Sequence, residues 1–427
     1  MASRAEIVGR LGHVYVTASK KAKGQILDEV VAITGWSRDN ARRRLVAADR
    51  TSLTEGGAKS GYRSLKPVTR ARKQRKGKYS YATLKILQMV WQASGRQCGK
   101  YLVVSMPYLL ASMEHHNELP DRDGRYSPEV KAELLAMSAA TIDRYLKPTK
   151  TIPAIKGFST TRPSPLLRNS IKVRKAGDEQ EQYPGFFEVD TVAHCGPTLR
   201  GEFQRTVNLT DVLTGWVFTR STRNLAHIHI KWAMQQAWEN IPYPMVGVDF
   251  DNGTEFINYV IVDWADKLGL YFTRSRPYKK NDQATIESKN NHLVRRYAEY
   301  WRYDTDETLR VLNRLWPLVN DRLNYLTPTK KPIGWDEGKG SKKRRIYDDP
   351  KTPLDRLLDA QVLSPAQEKE LVAYRDSLNP VKLDRQIRQL QDRLTRLGAP
   401  RTEELRRTLK LPPLPDVERG VKLRAIS

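Results

Sequence analysis

Three carboxylates carry the chemistry that this sequence can be read for. Asp190 lies in FFEVDTVAHCG, Asp251 in GVDFDNGTEF and Glu287 in RPYKKNDQATIESKNNHLVRR, with 35 residues between Asp251 and Glu287. Acidic oxygens without zinc-type ligands nearby select hard divalent cations such as Mg²⁺ or Mn²⁺. Two such ions about 3.5–4 Å apart activate an attacking oxygen and stabilise a departing one in phosphodiester chemistry. Three acids converging from two strands and a helix leave coordination positions open for phosphate oxygens and water. Glu188 and Asp211 are neighbouring acids that compete for the first position. Asp190 is preferred because its strand begins the fold unit. Asn252 and Gly253 read as a turn that lets the backbone pass close to the site. The two cysteines, Cys98 and Cys195, are too few for a disulfide framework or the common zinc patterns. No base is organised around His194–Cys195, so a structural role is the better reading of that pair.

These segments resemble the D,D-35-E catalytic core of bacterial insertion-sequence transposases and retroviral integrases. The resemblance rests on DNGTEF after a strand, on the 35-residue spacing and on Pro277-Tyr278 before the glutamate, and it covers about 185–300. It implies an α/β, RNase H-like catalytic core, a mixed five-stranded sheet flanked by helices, that cuts DNA to free 3′-hydroxyls and joins them to target DNA. It implies two Mg²⁺ (or Mn²⁺) ions, with Asp190 as the bridging ligand and Asp251 and Glu287 holding one ion each. The partners it implies are the terminal repeats of a mobile element, target DNA and a second copy of the chain or a larger assembly; a helper ATPase is left open. Many relatives carry a basic residue seven positions after the glutamate. Here that position is Val294, with Arg295 next. Two rivals stand beside this reading: a nuclease of the same fold that does not join, and an inactive transposase-derived DNA-binding protein.

The elements that must position these acids follow from pattern. FFEVDTV, FQRTVNLTDV, GWVFTRST, MVGVDF and LYFTRSR read as short strands. Helices fit at Leu225–Glu239 and Glu255–Leu268, and a third begins near Thr285. The order β-β-β-α-β-α-β-α implies a mixed sheet flanked by helices over residues 185–304.

The flanking segments carry the charge. The formal net charge is +26 over 427 residues. Residues 1–80 contain 19 Lys+Arg against 6 Asp+Glu, half of that excess. A polyanionic partner is expected, nucleic acid before an acidic membrane surface. Residues 1–55 read as a helix-turn-helix domain: a helix over 18–33, the break Gly35-Trp36, Ser37 as N-cap and a basic helix carrying Arg38, Arg42, Arg43 and Arg44. A plain helical hairpin with a solvated basic face fits the same periodicity. Residues 56–80 read as a basic linker. Residues 81–148 read as a second helical domain, with a helix from Tyr81, an N-cap at Ser127-Pro128 and another at Ser138. Thr141, Arg144 and Lys147 lie on its expected outer face, and a helical domain that binds nothing is the alternative. Residues 149–184 read as an extended linker. Lys279, Lys280, Lys289, Arg295 and Arg296 surround Glu287 in sequence and are expected to favour DNA phosphates.

Residues 305–427 read as mostly helical, interrupted by YLTPTKKPIGWDEGKGSKKRR. Leu383, Ile387, Leu390, Leu394 and Leu397 follow a heptad pattern for only two repeats, which suits an ordinary amphipathic helix better than a coiled coil, though a short one stays open. No apolar run reaches the length of a membrane span, and the first residues lack a signal-peptide pattern. A cytoplasmic, nucleoid-associated bacterial protein is therefore expected.

Overall fold

The computed structural model describes residues 4–53, 78–119, 125–149, 172–174, 183–250, 258–275, 290–336 and 344–411. They divide into two compact units, residues 1–78 and 79–427.

The first unit contains α1 (Arg4–Thr17), α2 (Lys20–Thr34) and α3 (Arg38–Leu53). Helix α1 is an addition to the expected elements, although Ile7, Leu11 and Tyr15 stand at helical spacing and pack on the core of this unit. Ser19 caps α2 by accepting from the Ala22 N–H. Gly35 ends α2 with φ at +69°, and its N–H bonds the Val31 carbonyl, a left-handed cap that glycine adopts without strain. Ser37 accepts the Asn40 N–H at 3.3 Å and starts α3. A small core of Tyr15, Leu27, Val30, Ala41 and Leu45 joins the three helices.

The second unit begins with α4 (Tyr81–Ala93), α5 (Gly99–His115), α6 (Pro128–Leu135) and α7 (Ala139–Leu146). Ser127 and Ser138 cap α6 and α7 as expected. The long helix α5 is an addition to the expected elements; its apolar residues run nearly all round it, so no single stripe signals it. Its buried face, with Leu102, Met106, Leu109 and Met113, fills the middle of the helical core.

The sheet comes next: β1 (Lys172–Arg174), β2 (Phe186–Ala193), β3 (Arg205–Asp211), β4 (Val217–Thr222), β5 (Gly247–Phe250) and β6 (Tyr271–Ser275). Helices α8 (His227–Asn240) and α9 (Tyr259–Lys267) lie between β4 and β5 and between β5 and β6. The sheet order is β1-β6-β5-β2-β3-β4. The pairs β2–β3 and β3–β4 are antiparallel, and β2–β5, β5–β6 and β1–β6 are parallel. The five expected strands are present, so the mixed sheet holds. A sixth, β1, lies in the segment read as an extended linker, where a three-residue strand leaves too little periodicity to notice.

The chain continues through a π-helical segment, Asn290–Arg295, and a single α-helical turn, Arg296–Ala298. Then come α10 (Asp306–Tyr325), a hairpin of β7 (Pro332–Asp336) and β8 (Arg344–Tyr347), α11 (Pro353–Asp359), α12 (Pro365–Ser377) and α13 (Pro380–Thr408). The hairpin falls in the stretch read as an irregular interruption. Residues 305–427 lie in the same compact unit as the sheet. Helix α10 lies along the outer strand β4, where two asparagines take the place of a neighbouring strand. Asn324 exchanges both hydrogen bonds with the backbone of Val217, at 2.8 and 2.9 Å. Asn313 does the same with Ser221, at 2.8 and 3.0 Å. Trp316 Nε1 reaches the Ser221 hydroxyl at 2.7 Å. An edge strand must have its N–H and C=O groups covered, and here side-chain amides do so.

The α13 heptad stripe, Leu383, Ile387, Leu390 and Leu394, is buried in the core of its own unit. No face of that stripe remains for a coiled-coil partner. The α4–α7 helices also belong to this unit. Gln97 donates to the Leu326 carbonyl at 3.1 Å, Tyr108 to Arg375 at 2.8 Å and Ser112 to Leu378 at 3.1 Å.

Candidate active site

Asp190 sits on β2, the strand at which the sheet changes from antiparallel to parallel pairing. In a strand, side chains alternate between faces. Glu188, Asp190, Val192 and His194 therefore share one face, opposite Phe187, Val189 and Thr191. Asp190 is half-buried, whereas Phe187, Val189 and Glu188 are buried.

A row of polar residues crosses the sheet at Asp190. Asp190 pairs in register with Asn208 of β3, and Asn208 with Thr219 of β4. Asn290, at the start of the π-helical segment, lies against this row. Its amide nitrogen donates to Asp190 Oδ2 at 2.5 Å, and its oxygen accepts from Asn208 Nδ2 at 3.1 Å. The Thr219 hydroxyl donates to Asn208 Oδ1 at 3.5 Å. Each amide in this chain has its orientation fixed by the next, since an amide oxygen only accepts and an amide nitrogen only donates. Asp190 Oδ1 accepts the Thr191 N–H at 2.6 Å. The result is a carboxylate held in one orientation at the centre of the sheet. π-helical turns are rare and are found frequently at functional sites.

On the other side of β2 the register pairs Val189 with Phe250. Phe250 is the last residue of β5 and immediately precedes Asp251 in the sequence. Asp251 and Glu287 lie outside the described residues, as do Asn252, Gly253, Pro277, Tyr278, Lys279, Lys280 and Lys289. Among the described residues no group of three or more His, Cys, Asp or Glu gathers in a way that would hold a metal ion.

The competing acids have other partners. Asp211 is fully buried and accepts from the backbone N–H groups of Gly185 and Thr214, both at 2.6 Å, and from the Thr214 hydroxyl at 2.9 Å. Burial pushes its carboxyl up against the lowering effect of those bonds. Glu188 pairs in register with the buried Asp249, whose carboxylate accepts from the Thr273 hydroxyl at 2.5 Å. His194 is buried, with Nε2 2.7 Å from the Thr206 hydroxyl. Burial first, then the nearby Arg295 and Arg205 charges, hold it well below its ordinary value. It is part of the core beside Cys195, which is also buried.

No model of a known family matches the chain. A protein of Sinorhizobium fredii (strain NBRC 101917 / NGR234), described as the uncharacterized protein y4rM, is 36% identical over 331 residues, covering 78% of this chain and 88% of its own length. The chain belongs to that protein's family. Among solved structures, the catalytic core domain of BIV integrase matches with 14% identity and a TM-score of 0.27, over 44% of this chain and 98% of its own.

The candidate DNA-contacting residues divide by exposure. Arg38, Arg42, Arg43 and Arg44 are all exposed on α3. Arg38 is paired with Asp28, Arg43 with Asp39 at 3.1 Å, and Arg44 stacks on Trp36 at 4.4 Å. Arg144 on α7 and Lys147 just after it are exposed, while Thr141 of α7 is half-buried; the Thr141 N–H bonds the Ser138 cap at 3.4 Å, and its hydroxyl accepts from Arg144. Arg295 turns inward, over the Tyr300 ring at 4.8 Å, and burial lowers its pKa. That placement does not suit the phosphate contact expected of it. Val294, seven positions after Glu287, is fully buried. Asn290 and Asn208 are site residues that the sequence pattern does not single out. Asn290 lies three residues beyond Glu287 in the sequence, and that proximity was the available signal.

Proposed function

We propose that this protein is a DNA transposase or integrase, with an RNase H-like core that cleaves DNA at the ends of a mobile element and joins the freed 3′-hydroxyls to target DNA. The observation that carries the reading is the pair of bonds to Asp190 and its row: Asn290 to Asp190 on one side, and the Val189–Phe250 register on the other. Consecutive Cα atoms are about 3.8 Å apart, so Asp251 follows directly from a strand hydrogen-bonded beside Asp190. Glu287 is three residues from Asn290 and cannot lie more than roughly 11 Å along the chain from it. These chain-length limits support a reading in which both remaining acids stand near Asp190.

The donor set fits hard divalent ions: Asp190, Asp251 and Glu287 would hold Mg²⁺ or Mn²⁺, two ions in all. When bound, these ions supply activation of the attacking oxygen and stabilisation of the leaving one. Asp190 provides a carboxylate already fixed in orientation. Asn290 holds that carboxylate, and Asn208 holds Asn290. Preorganisation of this kind removes reorganisation from the chemical step. The exposed arginines of α3, Arg144 of α7 and Lys147 just after it are assigned to DNA backbone contacts, the two helix pairs acting as helix-turn-helix modules. Two DNA ends must be processed together, so a dimer or larger assembly on DNA is expected.

The test uses the full chain with duplex DNA carrying the flanks of its own coding segment. Asp190→Asn, Asp251→Asn and Glu287→Gln each keep side-chain size but remove charge. Each should abolish both nicking and the joining of pre-cleaved ends while duplex binding persists. Glu188→Gln, Asp211→Asn and Glu299→Gln should retain activity. Activity should require Mg²⁺ or Mn²⁺ and fail in Ca²⁺, whose larger and looser coordination suits this geometry poorly. Cleavage in EDTA, or joining by all three triad variants, would overturn the reading. Cleavage without joining would leave a nuclease.

A further inference from the structure

Four guanidinium groups gather at the turn between α4 and α5, where the active-site reading makes no use of them. Arg322 of α10, with its side chain 3% exposed, donates from Nη2 to Asp384 Oδ1 of α13 at 3.0 Å. Arg388, one turn further along α13, donates to the other oxygen of Asp384 at 2.5 Å. Arg296 donates to the carbonyl of Gly95. The next residue, Arg96, is exposed, and among the described residues its guanidinium has no hydrogen bond or ion pair, only the electrostatic neighbourhood of the other three arginines and Asp384. Partial burial of the guanidinium first, and then Arg388 against the opposing Asp384, with Arg296 and Arg322 adding to it, hold Arg96 below its ordinary value.

The turn is built to bring these groups together. Gly95 has φ at +75°, and a Cβ there would meet Arg322 Cδ at 2.9 Å. A glycine is therefore needed for Arg322 to pass against the turn. Arg96 also has positive φ, at +62°, a left-handed conformation in which the Cβ of a non-glycine residue crowds the following carbonyl. An arginine held in strained backbone beside three others is a poor arrangement for folding alone. Four positive groups face one carboxylate, and among the described residues Arg322 Nε is buried without a hydrogen-bond partner. An anion with several oxygens would satisfy both the charge and the donors, and guanidinium forks match phosphate geometry.

We propose that the Arg96–Arg296–Arg388 cluster, over the Arg322–Asp384 floor, holds a backbone phosphate of bound DNA. This rests on the reading of the protein as a DNA-acting enzyme and adds where a strand leaves the site. Arg296 directly follows the π-helical segment whose first residue bonds Asp190. Six residues would advance about 9 Å at the rise of an α-helix, an upper limit for a π-helical segment and the axial distance of at most two or three phosphates along one strand at about 3.4 Å each.

The experiment measures binding of the full chain to a 30-base-pair duplex of arbitrary sequence against salt, by fluorescence anisotropy, with thermal unfolding of each variant alongside. Arg96→Glu places an acid among three arginines. It should leave the melting temperature unchanged or raise it, weaken binding several-fold, and reduce the salt slope by about 0.9, the share of one neutralised phosphate. Arg96→Lys should keep most of the affinity. Lys369→Glu makes the same charge change on the exposed face of α12 and should leave the slope unaltered. The proposal is overturned if Arg96→Glu binds with wild-type affinity and slope, or if Lys369→Glu weakens binding as much. A wild-type chain that binds no duplex at all removes the DNA reading itself, and the proposal with it, a result visible before any variant is compared.

Discussion

The arginines of α3 in the first unit and Arg302 and Arg356 in the second are placed in opposite ways. On α3 of the first unit, Arg43 and its partner Asp39 are each 73% exposed, and Arg38 and Asp28 are similarly solvated. Such pairs contribute little to stability, since water and salt screen them and long side chains lose freedom in forming them. In the second unit, Arg302 is 4% exposed and all five of its N–H donors are engaged. They reach Asp304 at 3.1 Å and the carbonyls of Cys195, Thr198, Arg200 and Glu202 at 2.8–3.1 Å. Arg356 similarly gathers Thr329, Lys351 and Asp348. A large positive charge in the sequence is thus two populations. One faces solvent and is free to meet phosphate; the other is a set of internal fasteners that join the sheet to the C-terminal helices.

The largest expected effect tests the second population. Arg302→Met keeps much of the apolar stem but leaves four loop carbonyls and Asp304 without its guanidinium. Breaking a buried pair of this kind costs about 3–5 kcal/mol. Chemical denaturation should show that loss, and Arg302→Lys should not repair it, because an ammonium cannot reach a fan of acceptors. A loss below about 1 kcal/mol would mean that the β2–β3 loop does not depend on Arg302. A smaller effect is expected from the uncharged fasteners. Asn313→Leu and Asn324→Leu each strip a backbone donor and acceptor of β4 of their partners, at about 1–3 kcal/mol apiece. The double variant should lose close to the sum, since the two sites act on separate strand residues. If either single change is neutral, the sheet edge is covered by something other than these amides.

The strands around Asp190 were legible because alternation of β-branched and aromatic residues is a local signal. So were the caps at Ser37, Ser127 and Ser138, since a hydroxyl before a helix bonds backbone within three residues. The internal fasteners were not legible. Arg302 reaches residues about a hundred positions earlier, and Asn324 reaches Val217; nothing in the local pattern separates such a residue from a solvated one. The stripe on α13 showed the limit of periodicity. Its spacing marked an apolar face, but whether that face meets its own chain or a second helix is decided by the tertiary core. Asn290 was illegible for a related reason: an asparagine on a helix reads as surface until the strand opposite is known to present Asp190. Arg295 misleads through adjacency alone, since neighbours on a helix point in different directions.

The smallest effect on stability tests the first population. Arg43→Ala removes an exposed i,i+4 pair with Asp39, and the same change at Arg42 removes a charge from an exposed position. Neither side chain contributes to the small core of Tyr15, Leu27, Val30, Ala41 and Leu45. Unfolding should therefore shift by no more than about 0.5 kcal/mol for each. Arg44→Ala is a less clean probe, because its stacking on Trp36 at 4.4 Å is worth about 0.5–1 kcal/mol. Duplex binding by the full chain should weaken with Arg42→Ala or Arg43→Ala, and the salt slope should fall by about 1 for each phosphate no longer neutralised. The two readouts must part company: stability nearly still, binding moved. Should Arg43→Ala lower stability by more than about 1 kcal/mol while binding and slope stay at wild type, α3 would carry its charge for folding, and the contrast between the two sets of arginines would fail.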